Sequence, residues 1–233
     1  LEGIGSEEIA MIKPVQKHPI DTPPTSAADF LPRKLTLPAL KKAAAVCEGC
    51  PLYREATQTV FGEGPPDARL VLIGETPGDQ EDLQGKPFVG PAGQLLDEAL
   101  TEAQLDRNEV YVTNAVKHFK WESRGKRRLH KKPSAREMAA CRPWLDAELA
   151  ALKPRVIVCL GATSAQSLFG RSFRVTQQRG QVLKLDGGVK GLATHHPSAA
   201  LRAPDEAVRH RMRQELADDL TIAARLLARP RRR

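Results

Sequence analysis

Three short stretches constrain this chain most: "ARLVLIGE" (Ala68–Glu75), "EVYVTNAV" (Glu109–Val116) and "RVIVCLG" (Arg155–Gly161). Each is nearly continuously apolar rather than alternating. A strand of that kind has no polar face to turn towards water, so both its faces must be covered. The segments between them carry helical spacing. In "GPAGQLLDEALTEAQL" (Gly90–Leu105), Leu95, Leu96, Ala99 and Leu100 fall on one stripe. "SAREMAACRPWLDAELAAL" (Ser134–Leu152) opens with a capping box, Ser134 with Glu137 three residues on. "GQVLKLDGGVKGLATHHP" (Gly180–Pro197) reads as a hairpin and then a strand ending at His195 and His196. "PDEAVRHRMRQELADDLTIAARLLA" (Pro204–Ala228) reads as a closing helix. The alternation predicts an α/β fold: a three-layer α/β/α sandwich around a central, mostly parallel four-stranded sheet. No internal repeat interrupts it.

The 233 residues suffice for one such domain. Residues 1–35, rich in Pro, Ser and Thr with poor periodicity, read as a flexible N-terminal arm. The domain is expected over 36–228, with a short helix through Pro38–Val46, followed by a basic tail "RPRRR" at 229–233. No apolar run reaches membrane-spanning length, and the start lacks the order of a signal peptide. A cytoplasmic, reducing setting is the expectation. The formal net charge of +8 favours a polyanionic partner, nucleic acid before an anionic membrane surface.

In a reducing setting four cysteines are metal or cluster ligands more often than two disulfides. Cys47 and Cys50 form C-E-G-C, whereas Cys141 and Cys159 are separated by 17 residues. Zinc and a [4Fe–4S] cluster both accept four thiolates. Zinc sites usually come as two short pairs, so the wide second pair leans towards the cluster.

In parallel sheets the site lies beyond the carboxyl ends of the strands. Three segments meet there: "GETPGDQED", "TNAVKHF" and "HHPSAALR". The Gly-rich run Gly74–Gly93 lacks the Gly-Lys-Ser/Thr of a phosphate-binding loop, and its Glu75, Asp79, Glu81 and Asp82 would repel phosphate. Phe88 suits stacking on a planar ligand, or a place in the core. Asn114 presents a donor and an acceptor side by side, as the edge of a pyrimidine requires, or else caps a turn. His196, next to Pro197, can donate to a carbonyl oxygen. Finally, "RGKRRLHKKPS" (Arg124–Ser134) surrounds His130 with cations in what reads as a polar loop over 117–133.

Together, Gly74–Gly93, the four cysteines, Asn114 and His196-Pro197-Ser198 resemble the iron–sulfur (family 4) branch of the uracil-DNA glycosylase superfamily. "GKRRLHKKPS" is similar to the inserted K-R-R-I-H loop of its UdgX class, whose members excise uracil and become covalently joined to the DNA through the loop histidine. The resemblance runs from about Leu35 to Leu227. It implies that Glu75 and Asp79 lie at the sugar and scissile bond, and that Gly74, Thr76, Phe88, Asn114 and His196 surround the base. It further implies that His130 is the nucleophile and that Cys47, Cys50, Cys141 and Cys159 hold a [4Fe–4S] cluster. Phosphate contacts are expected from Lys117, Lys126, Arg127, Arg128, Ser198 and Arg202. The implied partner is uracil-containing DNA, mainly single-stranded, bound by a monomer. One position departs from the pattern: Thr76 stands where the class carries glutamine, so contacts made by that glutamine do not carry over.

The implied chemistry separates two events. Base departure needs a donor at the uracil oxygen, which suits His196, and a carboxylate near the developing sugar cation, which suits Glu75 or Asp79. Capture of the sugar needs a neutral imidazole, and the cations around His130 are expected to keep it uncharged. The rival readings are a family 4 glycosylase that releases abasic DNA and a non-catalytic DNA-binding iron–sulfur protein.

Overall fold

A computed structural model describes residues 26–228. The strands are β1 (Leu70–Gly74), β2 (Val110–Asn114), β3 (Trp121–Arg124), β4 (Arg127–His130), β5 (Val156–Leu160), β6 (Leu183–Lys184) and β7 (Lys190–Thr194). The helices are α1 (Leu37–Ala44), α2 (Asp79–Gln84), α3 (Pro91–Glu102), α4 (Ala135–Leu152), α5 (Ala162–Phe169), α6 (Val175–Gln178), α7 (Pro197–Leu201) and α8 (Glu206–Ala228).

The central sheet runs β2-β1-β5-β7-β6. Its first four strands are parallel and β6 pairs antiparallel with β7. The sheet therefore has five strands where four were expected, because the Gly180–Pro197 hairpin adds a two-residue edge strand. Every residue of β1, β2 and β5 is buried, as their uninterrupted apolar character requires. Alternate residues serve opposite faces. Leu70, Leu72, Val110, Val112, Val156 and Val158 pack on one side with Leu96, Leu100, Leu216 and Leu220 of α3 and α8. Val71, Ile73, Tyr111, Ile157 and Cys159 pack on the other with Leu145 and Leu152 of α4 and Ala165 of α5. Helices thus flank both faces of a mostly parallel sheet.

A smaller core joins α1 and α4 through Leu40, Ala44, Trp144 and Ala147. Ala27 belongs to it, in a short 3-10 turn over Ala27–Phe30. The folded unit therefore begins before residue 36: part of the expected arm is core. Residues 1–25 and the basic tail at 229–233 lie outside the described residues. The expected polar loop over 117–133 is in part a hairpin. β3 and β4 pair with Arg124 opposite Arg127, turning through Gly125 at φ 62° and Lys126. Among the described residues no helix is long and apolar enough to cross a membrane.

Register brings the site together. Gly74 lies beside Asn114, and Leu160 beside Thr194, so β1, β2, β5 and β7 end at one edge. The segments that follow them face each other across it.

Candidate active site

A cavity of about 770 Å³ opens at this edge. Glu75, Thr76, Asp79, Phe88, Asn114, His130, His196, Ser198 and Arg202 all line it. Its wall at β1 and β2 depends on close approach. A Cβ on Gly74 would overlap Asn114 Oδ1 and meet Phe88 Cζ at 2.8 Å, so glycine is required where these side chains converge. Phe88 itself has φ 57°, unusual for a residue with a side chain. Its backbone is accommodated by Gly93, where any Cβ would overlap the Phe88 carbonyl. The Phe88 and His196 rings lie 6.1 Å apart and 28° from parallel. Asn114 is 3% exposed, and its Oδ1 has no hydrogen-bond partner among the described residues. A buried acceptor without a partner, on a residue that lines a cavity, matches a ligand that donates.

His196 is the N-cap of α7. Its Nδ1 accepts from the Ser198 amide at 3.1 Å and lies 2.7 Å from Ser198 Oγ. An amide can only donate, so the neutral ring carries its proton on Nε2. Burial, with help from Arg202 and His130, lowers the His196 pKa to about 4. His196 is therefore a neutral donor near pH 7. Ser198, expected to contact phosphate, is engaged in orienting it.

His130 ends β4 at the rim of the cavity, its ring 6.1 Å from that of Phe119. Its pKa is lowered, first by burial; Glu75 opposes this and Arg202 adds to it. The ring is neutral as expected, but the cations of its own loop are not the cause. One of them is otherwise engaged. Arg128 donates from Nε to Asp79 Oδ1 at 2.7 Å and from Nη1 to Asp82 Oδ2 at 2.6 Å. Its guanidinium also lies 5.3 Å from the Phe119 ring and 5.6 Å from the Trp121 ring. Expected at phosphate, Arg128 instead fastens the hairpin to α2, and Asp79 is its counterion. Lys126 and Arg127 are exposed, with no ion pair among the described residues. Arg202 is exposed at the C-cap of α7.

Lys117 is a correction. It is fully buried and ion-paired with Glu148 at 2.5 Å, so it presents no charge to phosphate. Thr76 is also turned inward: its Oγ1 donates to the His118 carbonyl at 2.8 Å. The sequence reading names neither Glu148 nor His118, and it does not pair Asp82 with Arg128. For Glu148, its place between Ala147 and Leu149 is the available signal.

Cys47, Cys50 and Cys141 share the core beneath α1 and α4. Trp144 Nε1 and the Lys117 amide donate to the sulfurs of Cys47 and Cys141, each at 3.2 Å. Burial pushes the Cys50 thiol up to about 11 and Cys141 to about 12, so a metal would have to displace their protons. Cys159 is not with them. Strand alternation turns it onto the sheet face that meets α4 and α5. The expected set of four thiols is therefore three. His118 is tied to the same region: its Nε2 lies 2.9 Å from Thr59 Oγ1, which donates to the Ala44 carbonyl, and the Cys47 amide donates to that carbonyl too. Thr59 spends its proton on Ala44, so His118 donates from Nε2 and keeps a lone pair on Nδ1. Among the described residues no three such side chains close on one point as they do around a single metal ion.

A family profile described as the Uracil DNA glycosylase superfamily matches residues 61–221. The chain is 43% identical over 158 residues to the Type-4 uracil-DNA glycosylase of Thermotoga maritima, covering 67% of this chain and 78% of that protein. It is 37% identical over 178 residues to the Type-4 enzyme of Pyrobaculum aerophilum, covering 73% and 86%. Against the Type-4 enzyme of Sulfurisphaera tokodaii identity is 34% over 205 residues, covering 84% and 87%. With the cavity at the strand ends and the match across most of the folded region, this chain belongs to the uracil DNA glycosylase superfamily.

Proposed function

We propose that this protein excises uracil from DNA and is then joined to the deoxyribose C1′ through His130. The observation that carries the second half is the placement of His130: a neutral imidazole on a fastened hairpin, lining the same cavity as Glu75, Asn114 and His196. The excision half is supported by the Type-4 uracil-DNA glycosylases the chain matches.

Uracil offers N3–H to the unpartnered Asn114 Oδ1 and O4 to the Asn114 amide, while His196 Nε2–H addresses a carbonyl oxygen. Cytosine has no N3–H, and its exocyclic amine stands where the uracil oxygen accepts. Reaching this cavity requires single-stranded or flipped DNA, so single strands are the preferred substrate. Lys126, Arg127 and Arg202 are the phosphate contacts.

The C1′–N1 bond breaks and its electron pair leaves with uracil, held by His196. A ring nitrogen of His130 gives its lone pair to C1′. The proton on the other ring nitrogen passes to Glu75 and finally to the departed base. The balance is His130–H plus deoxyuridine-DNA giving His130–DNA plus uracil. The product is a neutral N-alkyl imidazole, a poor leaving group, so the adduct persists.

A [4Fe–4S] cluster would be held by three thiolates, Cys47, Cys50 and Cys141, with His118 Nδ1 as the fourth donor. It would tie the N-terminal segment to α4. Such thiols suit a cytoplasmic, reducing setting, and the protein acts as a monomer.

The test is incubation with uracil-containing single-stranded DNA followed by a denaturing gel. A shifted, denaturant-stable band is expected. Cleavage after alkali without a shift means a turnover glycosylase, and no change means binding alone.

A further inference from the structure

Lys117 and Glu148 are each fully buried, yet neither touches the cavity. The pair is fully satisfied. Lys117 Nζ donates to Glu148 Oε2 at 2.5 Å, to Thr113 Oγ1 at 2.6 Å and to the Asn114 carbonyl at 2.8 Å, which uses all three ammonium hydrogens. Glu148 accepts in addition from the Tyr111 hydroxyl at 2.9 Å, the Gly62 amide at 3.1 Å and the Thr113 hydroxyl at 3.1 Å. Burying two charges is costly, and an apolar pair of similar volume often serves stability as well or better. A role beyond stability is therefore worth seeking in what the ammonium holds.

It holds the last residue of β2. Asn114 carries the unpartnered acceptor, and the chain leaves the sheet immediately after it. From there to His118 the backbone is laced to the loop that carries Glu75. The Ala115 amide donates to the Gly74 carbonyl at 2.9 Å, and the Val116 amide to the Glu75 carbonyl at 3.0 Å. Thr76 Oγ1 donates to the His118 carbonyl. The Lys117 amide donates to Cys141 Sγ, and the Lys117 carbonyl accepts from Val60 at 2.8 Å. Lys117 is thus pinned at its amide, its carbonyl and its ammonium, and the ammonium fixes the Asn114 carbonyl from beneath.

We propose that Lys117 and Glu148 are positioning residues that set the Asn114 amide edge, and so the affinity of the cavity for the base. This rests on the reading of Asn114 as the uracil-reading residue. The pair touches neither base nor DNA, so its effect should appear in base affinity and not in phosphate binding.

The test uses the full chain and two probes: free uracil as a competitive inhibitor of the reaction on uracil-DNA, and a uracil-free single strand as a measure of phosphate binding. In Lys117→Met/Glu148→Gln both charges go, and the new amide at 148 still serves Tyr111, Thr113 and Gly62. Thermal melting shows whether it folds. The expected result is a rise in the inhibition constant for uracil of roughly tenfold, about the worth of one charge-assisted hydrogen bond, with uracil-free DNA bound as before. A smaller folded fraction would lower the active concentration without moving either constant. Unchanged uracil affinity in a folded double variant overturns the proposal. If the double variant does not fold, Thr113→Val replaces it, removing one acceptor of the ammonium; a rise of about threefold supports the proposal, and no rise overturns it. Asn114→Ala is the control. If it leaves uracil affinity unchanged, the reading of Asn114 fails; if it weakens affinity while the double variant does not, the positioning proposal alone fails.

Discussion

Arg128 and Asp79 join the β3–β4 hairpin, which ends at His130, to α2, through a 2.7 Å bond from Nε to Oδ1. The same guanidinium reaches Asp82, a fully buried carboxylate that also accepts from the Thr57 amide. Two residues after Arg128, β4 ends at His130. Arg128→Met should therefore loosen His130 more than it disturbs Asn114 or His196. Single-turnover measurements should show adduct formation slowed roughly ten- to a hundredfold, the scale on which misplacing a reacting group acts. Release of free uracil should slow less. Equal slowing of the two would mean that the hairpin serves base departure as well.

Gly74→Ala tests the cavity wall. The added methyl overlaps Asn114 Oδ1 and presses on Phe88, and both belong to a packed region. A stability cost of about 1–3 kcal/mol is expected from overpacking. Measured on folded protein, uracil excision should fall by roughly a hundredfold or more, with the loss in affinity for the base. Activity near the wild-type level would show that Asn114 does not read the base from its present position.

Acid should stop capture. The ordinary histidine pKa is about 6.5, and burial holds that of His130 below it. Above its folded pKa the ring keeps the lone pair it needs, so the adduct rate should be level around neutral pH and fall on the acid side. The same direction governs stability at His196, whose folded pKa is about 4. Its contribution is fully present above the unfolded value and is lost as pH falls from about 6.5 towards 4, because the unfolded chain takes up the proton first. Rate against pH on uracil-DNA, with melting temperature recorded in parallel, separates the two. An adduct rate that rose into acid would contradict a neutral nucleophile.

Iron binding should divide the cysteines three to one. Cys141→Ser is expected to lose iron and visible absorbance, as are Cys47→Ser and Cys50→Ser. Cys159→Ala should keep both, because that side chain packs against the sheet's helical layer, away from the other thiols. Iron content that dropped with Cys159→Ala would place a ligand where the fold puts a core residue.

Much of the architecture was legible because β1, β2 and β5 cannot be read in another way: strands without a polar face demand two covering layers. The convergence of Glu75, Asn114 and His196 followed from parallel strands ending at one edge. What could not be read were partners distant in the chain. Lys117 looked like a cation at a strand end; its fate was decided by Glu148, 31 residues on. Cys159 was counted as a ligand because it made a fourth cysteine, although its place between Val158 and Leu160 already marked it as one face of a buried strand. The β3–β4 hairpin is not legible in the sequence because both strands are short and mostly polar, and Gly125 alone signals the turn. Arg128 reads as a phosphate contact because nothing in the sequence signals that Asp79 and Asp82 meet it.

The central claim, capture of the sugar by His130, is tested most directly by mapping the adduct. The protein is incubated with uracil-containing single-stranded DNA, denatured and digested, and the modified peptide is sequenced by mass spectrometry, with His130→Ala in parallel. The account predicts the deoxyribose mass on His130 and no denaturant-resistant complex from the variant. A mass on Lys126 or Lys131, or a resistant complex formed by His130→Ala, would contradict it.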